Sequence, residues 1–208
     1  MSEYRPMVII KGAGDLATGV AHRLFQNGLD VIMTEISSPL VVRRKVAFAE
    51  AVYEGTVTVE GTKACLAATV DHAYDLLEDR IIPVLIDPEA DVVKMVHPEV
   101  VVDARMAKRN LGTAIDEASF VVGLGPGFTA GLDVHAVIET CRGPELGRVI
   151  YSGSAIPDTG IPGEVGGYTL ERLLRSPVEG IVTPKRSIGD LVEKGDVVAF
   201  VENTPVRA

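Results

Sequence analysis

The sequence predicts an α/β fold: a Rossmann-like domain with a mostly parallel sheet and flanking helices, followed by a small C-terminal β-hairpin module. Three observations support this prediction. Short apolar runs alternate with segments of helical periodicity. A glycine-rich turn separates the first apolar run from the first helical segment. After residue 153 the chain becomes rich in Gly, Pro and small polar residues.

The N-terminal part of the chain predicts a strand, a turn, a helix and a second strand. The run Met7–Ile10 is short and apolar, which is typical of a buried parallel strand. Apolar residues then recur at helical spacing over Asp15–Gly28, with the glycine where a helix stop belongs. The run Val31–Thr34 leads into Glu35. Together these segments predict a βαβ unit.

The following segments continue the alternation. Helices are predicted over Val41–Tyr53 and Thr69–Asp79, and a strand or hairpin at Thr56–Val59. The other apolar runs, each predicted to be a strand, are Val84–Ile86, Val100–Val102, Phe120–Leu124, Ala136–Ile138 and Arg148–Tyr151. Strands that alternate with helices favour a mostly parallel sheet covered on its faces.

Three segments are predicted along the chain. They are a Rossmann-like nucleotide- or cofactor-binding domain at 1–153, a Gly/Pro-rich linker with a short helix at 154–175, and a β-rich module at 176–208. In the module, the β runs Gly180–Thr183 and Val197–Val201 flank turns, a pattern that resembles half of a biotinyl or lipoyl barrel-sandwich. The modifiable lysine of such domains is absent. We therefore interpret the module as structural or as a docking element.

Composition and charge limit the classes of function. The chain has 208 residues and a formal net charge of −9. An acidic protein is a poor match for nucleic acid or anionic membranes, because phosphate binding depends on Lys and Arg. No apolar run reaches the roughly 18 residues that span a bilayer, and the charged N-terminus is not typical of a signal peptide. With 2 cysteines and no disulfide framework, we expect a cytoplasmic protein.

The strongest motif is KGAGDLATG, which has the spacing and position of a dinucleotide-binding turn. Gly12 permits the tight turn, and Gly14 lets the backbone approach a pyrophosphate. The start of the helix, with Ala13, Asp15 and Leu16, offers N–H groups and a positive dipole to phosphates. The alternative is that a βαβ turn simply favours glycine.

Two acids accompany this turn. Glu35 lies about 20 residues after Gly14, at the end of the second strand, where an acid accepts a ribose 2′-hydroxyl. Its charge would repel a 2′-phosphate, so an NADP-like ligand is disfavoured. Asp15 is unusual inside a phosphate turn, because a carboxylate there would cap the helix but would also repel phosphate. A sugar, a metal and a pterin are the alternative partners for Asp15.

Two further motifs follow predicted strands. VVGLGPGFTAG places Gly125, Gly127 and Phe128 at the carboxyl end of a strand, where α/β proteins bind ligands. A tight, proline-containing turn is the alternative. In VVVDARMAKRN, Asp103 and Arg105 end a strand, and Arg105 is a candidate to bind phosphate or carboxylate. An ion pair between Asp103 and Arg105 is the alternative.

Several segments form an ordered set: VIIKGAGDLATGVAHRLFQNGLDVIMTE, RRKVAFAEAVYEG, VVDARMAKRN, VGLGPGFTAG and VIETCRGPELGRV. Together they resemble the selenium-dependent molybdenum hydroxylase accessory family, the YqeB-like relatives of XdhC-type proteins, over residues 7–202. XdhC-type proteins are molybdenum-cofactor chaperones, so the resemblance implies a role in maturing molybdenum hydroxylases. It implies cofactor contacts at Gly12, Gly14, Asp15, Glu35, Asp103, Arg105, Gly125, Gly127 and Phe128. The resemblance also implies that longer family members continue past the hairpin, so we expect this chain to be a short form or a truncated one.

Three functions stay open from the sequence. The first is an accessory factor that binds molybdopterin as its cytosine dinucleotide, whose pyrophosphate and ribose suit the turn and Glu35, and serves a molybdenum hydroxylase client. The alternatives are an NAD-dependent oxidoreductase and a non-catalytic nucleotide-binding scaffold. No catalytic residue and no metal-ligand spacing can be named, which favours a cofactor-binding chaperone over a turnover enzyme. No nucleic-acid or membrane partner is expected, and a homodimer is left open.

Overall fold

The computed structural model describes residues 4–208. The chain forms two compact units, the first ending at Asp158 and the second spanning Thr159–Ala208. Within the described residues, the first unit holds a nine-stranded sheet and the second a three-stranded antiparallel sheet. This architecture confirms the predicted α/β class with a mostly parallel sheet and a small C-terminal β module.

The strands and helices have the following bounds. The strands of the first unit are β1 (Met7–Lys11), β2 (Asp30–Glu35), β3 (Thr56–Val59), β4 (Thr62–Ala67), β5 (Ile82–Ile86), β6 (Val100–Asp103), β7 (Phe120–Leu124), β8 (Ala136–Ile138) and β9 (Val149–Ile150). Its helices are α1 (Asp15–Gln26), α2 (Ala51–Glu54), α3 (Val70–Glu78) and α4 (Val92–Val96). The second unit contains β10 (Val182–Pro184), β11 (Val197–Val201), β12 (Thr204–Arg207) and one 3-10 turn, Leu170–Arg172, where a short helix was expected. None of the helices described between residues 4 and 208 has the length and apolar character that crossing a membrane requires.

The strand order explains where a ligand site should lie. The sheet runs β3-β4-β5-β2-β1-β6-β7-β8-β9, with β3 and β9 antiparallel to their neighbours and the other pairs parallel. Six neighbouring strands of this sheet, β5-β2-β1-β6-β7-β8, follow the strand order of doubly wound dinucleotide-binding folds. The strands that follow β1 in the sequence lie on one side of it up to β5, and from β6 onward they lie on its other side, so the strand order reverses between β1 and β6. In such sheets, ligands bind outside the carboxyl ends of the strands at this reversal.

Successive residues of the central strands face two separate apolar cores. Val8 and Ile10 of β1 pack on one face with α1 and with Phe48. Ile9 packs on the other face with residues of α3 and α4. Both faces of the sheet are therefore covered, which is the condition under which a parallel sheet is stable.

The prediction of a helix over Val41–Tyr53 is wrong. This segment is irregular, then forms two 3-10 turns and the short α2. The N–H of Phe48 donates to the Thr18 hydroxyl, and the N–H of Ala49 donates to the Ala13 carbonyl, each at 2.8 Å. Because these N–H groups bond to the glycine turn and to α1, they cannot serve a continuous helix. The segment instead braces the turn from the side.

Candidate functional site

A cleft of about 470 Å³ opens at the carboxyl ends of β1, β2, β5 and β6, at the reversal of strand order. Its volume lies within the roughly 300–1,000 Å³ typical of small-molecule sites. Six of the predicted site residues line it: Gly12, Gly14, Asp15, Leu16, Glu35 and Arg105. Ala13 and Asp103 instead hydrogen-bond to lining residues. The cleft therefore brings the first glycine motif together with Glu35 and Arg105, which are far apart in sequence.

The two glycines of the first turn have different reasons to be glycine. Gly12 has a φ of +94°, and a Cβ there would lie 3.1 Å from the Cα of Arg105. The fold itself therefore requires glycine at this position. Gly14 has a φ of −64°, and a Cβ there would meet no heavy atom of residues 4–208 within 4 Å. Neither backbone conformation nor described internal packing requires Gly14, so its face is open toward the cleft.

The start of α1 is suited to an anion but carries an acid. Gly14 is the N-cap, and no side chain of the described residues caps the helix. Its first N–H groups and the helix dipole therefore attract negative charge. The Asp15 carboxylate is paired with the Arg43 guanidinium at 2.7 Å. This ion pair offsets the charge that made Asp15 unusual within a phosphate turn, and it ties the rim of the cleft to α1.

Carboxylates hold fixed positions at the ends of β2 and β5. Glu35 accepts hydrogen bonds from the N–H of Ala13 at 3.1 Å and the N–H of Ile36 at 2.7 Å, one on each oxygen. A carboxylate has about four lone-pair sites, so Glu35 keeps acceptor capacity for a hydroxyl group. Asp87 also lines the cleft and is held by the N–H groups of Asp91 and Val92. Asp87 was not among the predicted site residues, although an acid directly after a strand was an available signal.

Arg105 faces the cleft from the end of β6. Its Nη2 and Nε donate to the two carboxylate oxygens of Asp103 at 2.5 and 3.1 Å. Its Nη1 donates no hydrogen bond to any group within residues 4–208. The ion pair between Asp103 and Arg105, which was predicted as the alternative to phosphate binding, is present. It engages one side of the guanidinium and leaves a donor for a ligand.

A buried polar network extends below Arg105. The Lys11 ammonium, whose side chain is 4% exposed, lies 2.6 Å from the Glu117 carboxylate and donates to the Thr113 hydroxyl at 2.8 Å. The Thr113 hydroxyl in turn donates to Asp103 at 2.8 Å. Lys11, Thr113 and Glu117 were not predicted from the sequence. A lysine at the end of the buried run VIIK was a signal, because a buried charge requires a partner; Thr113 and Glu117 lie in an irregular loop and gave none.

The second glycine motif lies outside the cleft lining and is tightly packed. A Cβ at Gly127 would lie 2.7 Å from the backbone N and Cα of Arg109, and one at Gly125 would lie 2.5 Å from the Thr140 hydroxyl. Phe128 is 5% exposed and belongs to an apolar core. These contacts account for glycine at both positions. Ligand binding by this loop stays a prediction.

Comparison with known proteins gives one informative similarity. Over 202 residues the chain is 50% identical to the "Uncharacterized protein YqeB" of Escherichia coli (strain K12). This match includes 97% of the chain and 37% of the relative, so the chain spans little more than a third of that protein. No family model and no solved structure matches the chain. The chain is therefore similar to YqeB, in agreement with the YqeB-like part of the resemblance. The name of that relative states no function.

Proposed function

We propose that the chain binds the molybdenum cofactor in a dinucleotide form and acts in the maturation of a selenium-dependent molybdenum hydroxylase. The observation that carries the binding part is the open face of Gly14 within the cleft at the strand reversal. A Cβ would fill a space that the described chain leaves free beside the start of α1. Such a space is where a phosphate approaches the backbone in dinucleotide-binding turns.

The proposal gives each part of the cleft a role. The phosphates bind at Gly12–Leu16, and the ribose hydroxyl donates to Glu35. Arg105 binds a charged oxygen through the nitrogen that Asp103 leaves unused. The bound cofactor supplies a molybdenum centre carried by a pterin, and the residues of this chain hold and orient it. The maturation role rests on the ordered motifs that resemble the YqeB-like family and on the similarity to YqeB.

Direct titration tests the binding part. Purified protein is titrated anaerobically with the cytosine dinucleotide form of molybdopterin, with molybdopterin lacking the nucleotide, and with NAD. We expect the cytosine dinucleotide to bind in the micromolar range or tighter. The form without the nucleotide should bind more weakly, because it has no ribose for Glu35 and only one phosphate. Absence of binding by all three ligands would contradict the proposal, and hydride transfer with NAD would establish the alternative oxidoreductase.

Delivery to a client requires a separate experiment. An apo molybdenum hydroxylase of the selenium-dependent type is incubated with cofactor alone or with cofactor preloaded on this protein. We expect preloaded protein to raise the molybdenum content and activity of the client above cofactor alone. A Gly14→Val variant serves as the control, because the added side chain occupies the space above the turn. Equal reconstitution with wild type, variant and free cofactor would refute the maturation role.

A further inference from the structure

The charged groups of the cleft are divided between its two sides. Glu35 and Asp87 lie at the ends of β2 and β5, whereas Arg105 follows β6. In the sheet, β2 and β6 flank β1, which leads into the glycine turn. A ligand that lies across the turn therefore meets hydroxyl acceptors on the β2 side and a cation on the β6 side. This arrangement orients a sugar toward Glu35 and a charged group toward Arg105.

Arg105 packs directly on the glycine turn. The Cα of Arg105 would lie only 3.1 Å from a Cβ at Gly12. The same cleft is lined by two features that attract anions, the uncapped start of α1 and the Arg105 guanidinium. A ligand group with two linked negative charges uses both features, whereas a single phosphate uses one. A diphosphate is the common biological group of this kind.

The Arg105 guanidinium is fixed from below. Asp103 binds it through two nitrogens, and the Thr113 hydroxyl contacts both Asp103 and Arg105. Lys11 reaches the same hydroxyl and pairs with Glu117. Buried ion pairs contribute little net stability, because the desolvation cost offsets the attraction. Their benefit in this cleft is orientation, since a side chain held in place before binding loses less entropy when the ligand arrives.

The loop after β6 is also held in an uncommon backbone conformation. Met106 and Lys108 have φ values of +56° and +63°, although neither is glycine. Such residues persist where the surroundings impose the conformation, and they are frequent at functional sites. The side chain of Asn110 donates to the Thr113 carbonyl and accepts from the Thr113 N–H, each at 2.8 Å. Thr113 is therefore anchored through both its backbone and its hydroxyl.

We propose that Lys11, Thr113 and Glu117 are positioning residues that act through Asp103 to hold Arg105 for a diphosphate group of the ligand. This inference rests on the proposed binding of a dinucleotide-type ligand. It identifies the ligand group that is recognised on the β6 side and the residues that prepare its recognition. Arg105 is the residue that touches the ligand, and the other residues act through it.

Thr113 offers a matched pair of variants. Thr113→Val keeps the branched shape and removes the hydroxyl, whereas Thr113→Ser keeps the hydroxyl. The probes are cytidine diphosphate and cytidine, titrated by NMR under identical conditions. We expect Thr113→Val and Arg105→Gln to weaken cytidine diphosphate binding about tenfold, or about 1.4 kcal/mol, with cytidine binding unchanged. Thr113→Ser should retain the wild-type preference for cytidine diphosphate over cytidine.

The outcomes separate this inference from the proposed function. If the wild type binds neither the cytosine dinucleotide form of molybdopterin, nor molybdopterin lacking the nucleotide, nor NAD, the proposed function fails and the inference fails with it. If the wild type binds the cytosine dinucleotide form but shows no preference for cytidine diphosphate over cytidine, the inference alone is overturned. If the wild type binds the diphosphate and folded Thr113→Val binds it equally well, the inference alone is overturned. Equal losses for cytidine and its diphosphate would indicate general damage and would also overturn it. Glu117→Gln, at a partly exposed position, replaces Thr113→Val if the valine variant does not fold, and the same selective loss is expected.

Discussion

The two glycine-rich loops of the large sheet have similar sequences but use glycine for different physical purposes. At Gly14, a Cβ would meet no heavy atom among the described residues within 4 Å. At Gly127, a Cβ would collide with the backbone of Arg109 at 2.7 Å. Glycine leaves space outside the chain in the first loop and lets two backbone segments pack closely in the second. A glycine pattern after a strand therefore does not by itself identify a ligand site.

The support of each loop shows the same contrast. The first loop is braced by backbone hydrogen bonds to its outer side, while its inner side forms the cleft wall. In the second region, the N–H of Gly125 donates to the carbonyl of Ile138, and Glu139 follows immediately. Glu139 is 2% exposed and accepts from three backbone N–H groups. The second loop is therefore part of the structural core, and variants at the two loops should separate stability from binding.

The largest expected effect is the loss of stability in Gly127→Ala. The residue has a φ of +114°, and its new Cβ would press on the Arg109 backbone, which cannot move like a side-chain end. Strain and overpacking together should lower the free energy of unfolding by about 2–4 kcal/mol. Urea unfolding followed by circular dichroism measures the change.

Gly131→Ala is the matched control for this variant. Gly131 also has a positive φ, +85°, but a Cβ there would meet no atom of residues 4–208 within 4 Å. This variant should therefore lose only the conformational part, about 1 kcal/mol. If both variants lose the same amount of stability, the close contact with Arg109 is not what requires glycine at position 127.

The next effect is a pH-dependent loss of stability in Glu139→Gln. Burial raises the pKa of Glu139. Hydrogen bonds from the N–H groups of Ile156, Cys141 and Thr140 lower this pKa by more than burial raises it, so the net pKa is below its ordinary value. The ionised carboxylate therefore stabilises the fold above the unfolded-state pKa, and this stabilisation is lost as pH falls through the folded-state pKa. At neutral pH, glutamine should cost about 1–3 kcal/mol, because its NH2 group faces a backbone N–H donor.

Unfolding of wild type and Glu139→Gln at a series of pH values checks this sign. The difference should be greatest near neutral pH and should shrink as the medium becomes acidic. Glu145→Gln is the control, because Glu145 is exposed and pairs with nearby Arg148 at the surface. Its effect should stay within about 0.5 kcal/mol at all pH values. A Glu139 difference that grows on acidification would contradict the assigned role.

The sequence was sufficient for the parts of the fold that depend on local patterns. Strands such as β1, β2 and β7 are short apolar runs, and α1 and α3 have clear helical periodicity. The helix over Val41–Tyr53 failed because tertiary hydrogen bonds to the glycine turn compete with helical ones. The short α4 and the last strand, β12, carry too few periodic residues to be identified from sequence.

The candidate site could be predicted where the position of a single residue in a sequence motif indicates its role. Gly14 and Glu35 occupy positions defined by the turn and by the end of the second strand, so spacing alone indicated them. The network of Lys11, Thr113 and Glu117 was not predictable, because it joins residues about 100 positions apart in sequence and depends on the register of β1 with β6. The close internal packing of the second glycine loop is visible only in three dimensions, and ligand binding by that loop stays a prediction.

A smaller effect, on binding instead of stability, is expected for Gly14→Ala. A methyl group there occupies the open space above the turn and, apart from its own chain neighbours, meets no heavy atom of the described residues within 4 Å. Affinity for cytidine diphosphate should fall at least tenfold, about 1.4 kcal/mol, while stability changes by less than about 1 kcal/mol. Gly19→Ala, in α1 and away from the cleft lining, is the control and should leave affinity unchanged. Unchanged affinity in folded Gly14→Ala would mean that phosphates do not approach this turn.

The smallest effect is expected for Glu35→Gln, which tests whether the first loop shares its ligand with the end of β2. The variant keeps one acceptor oxygen but loses the charge, so binding of NAD should weaken by about 0.5–1.5 kcal/mol through a poorer hydrogen bond to ribose. Repulsion of a 2′-phosphate should weaken as well, because a neutral amide replaces the carboxylate. The ratio of the NAD and NADP dissociation constants, measured by titration, is therefore the informative quantity. Damage to the fold would change both constants together, whereas loss of the Glu35 charge should shift the ratio toward NADP. An unchanged ratio in folded protein would remove Glu35 from the ligand site, and the role of the glycine turn would then depend on the result for Gly14→Ala.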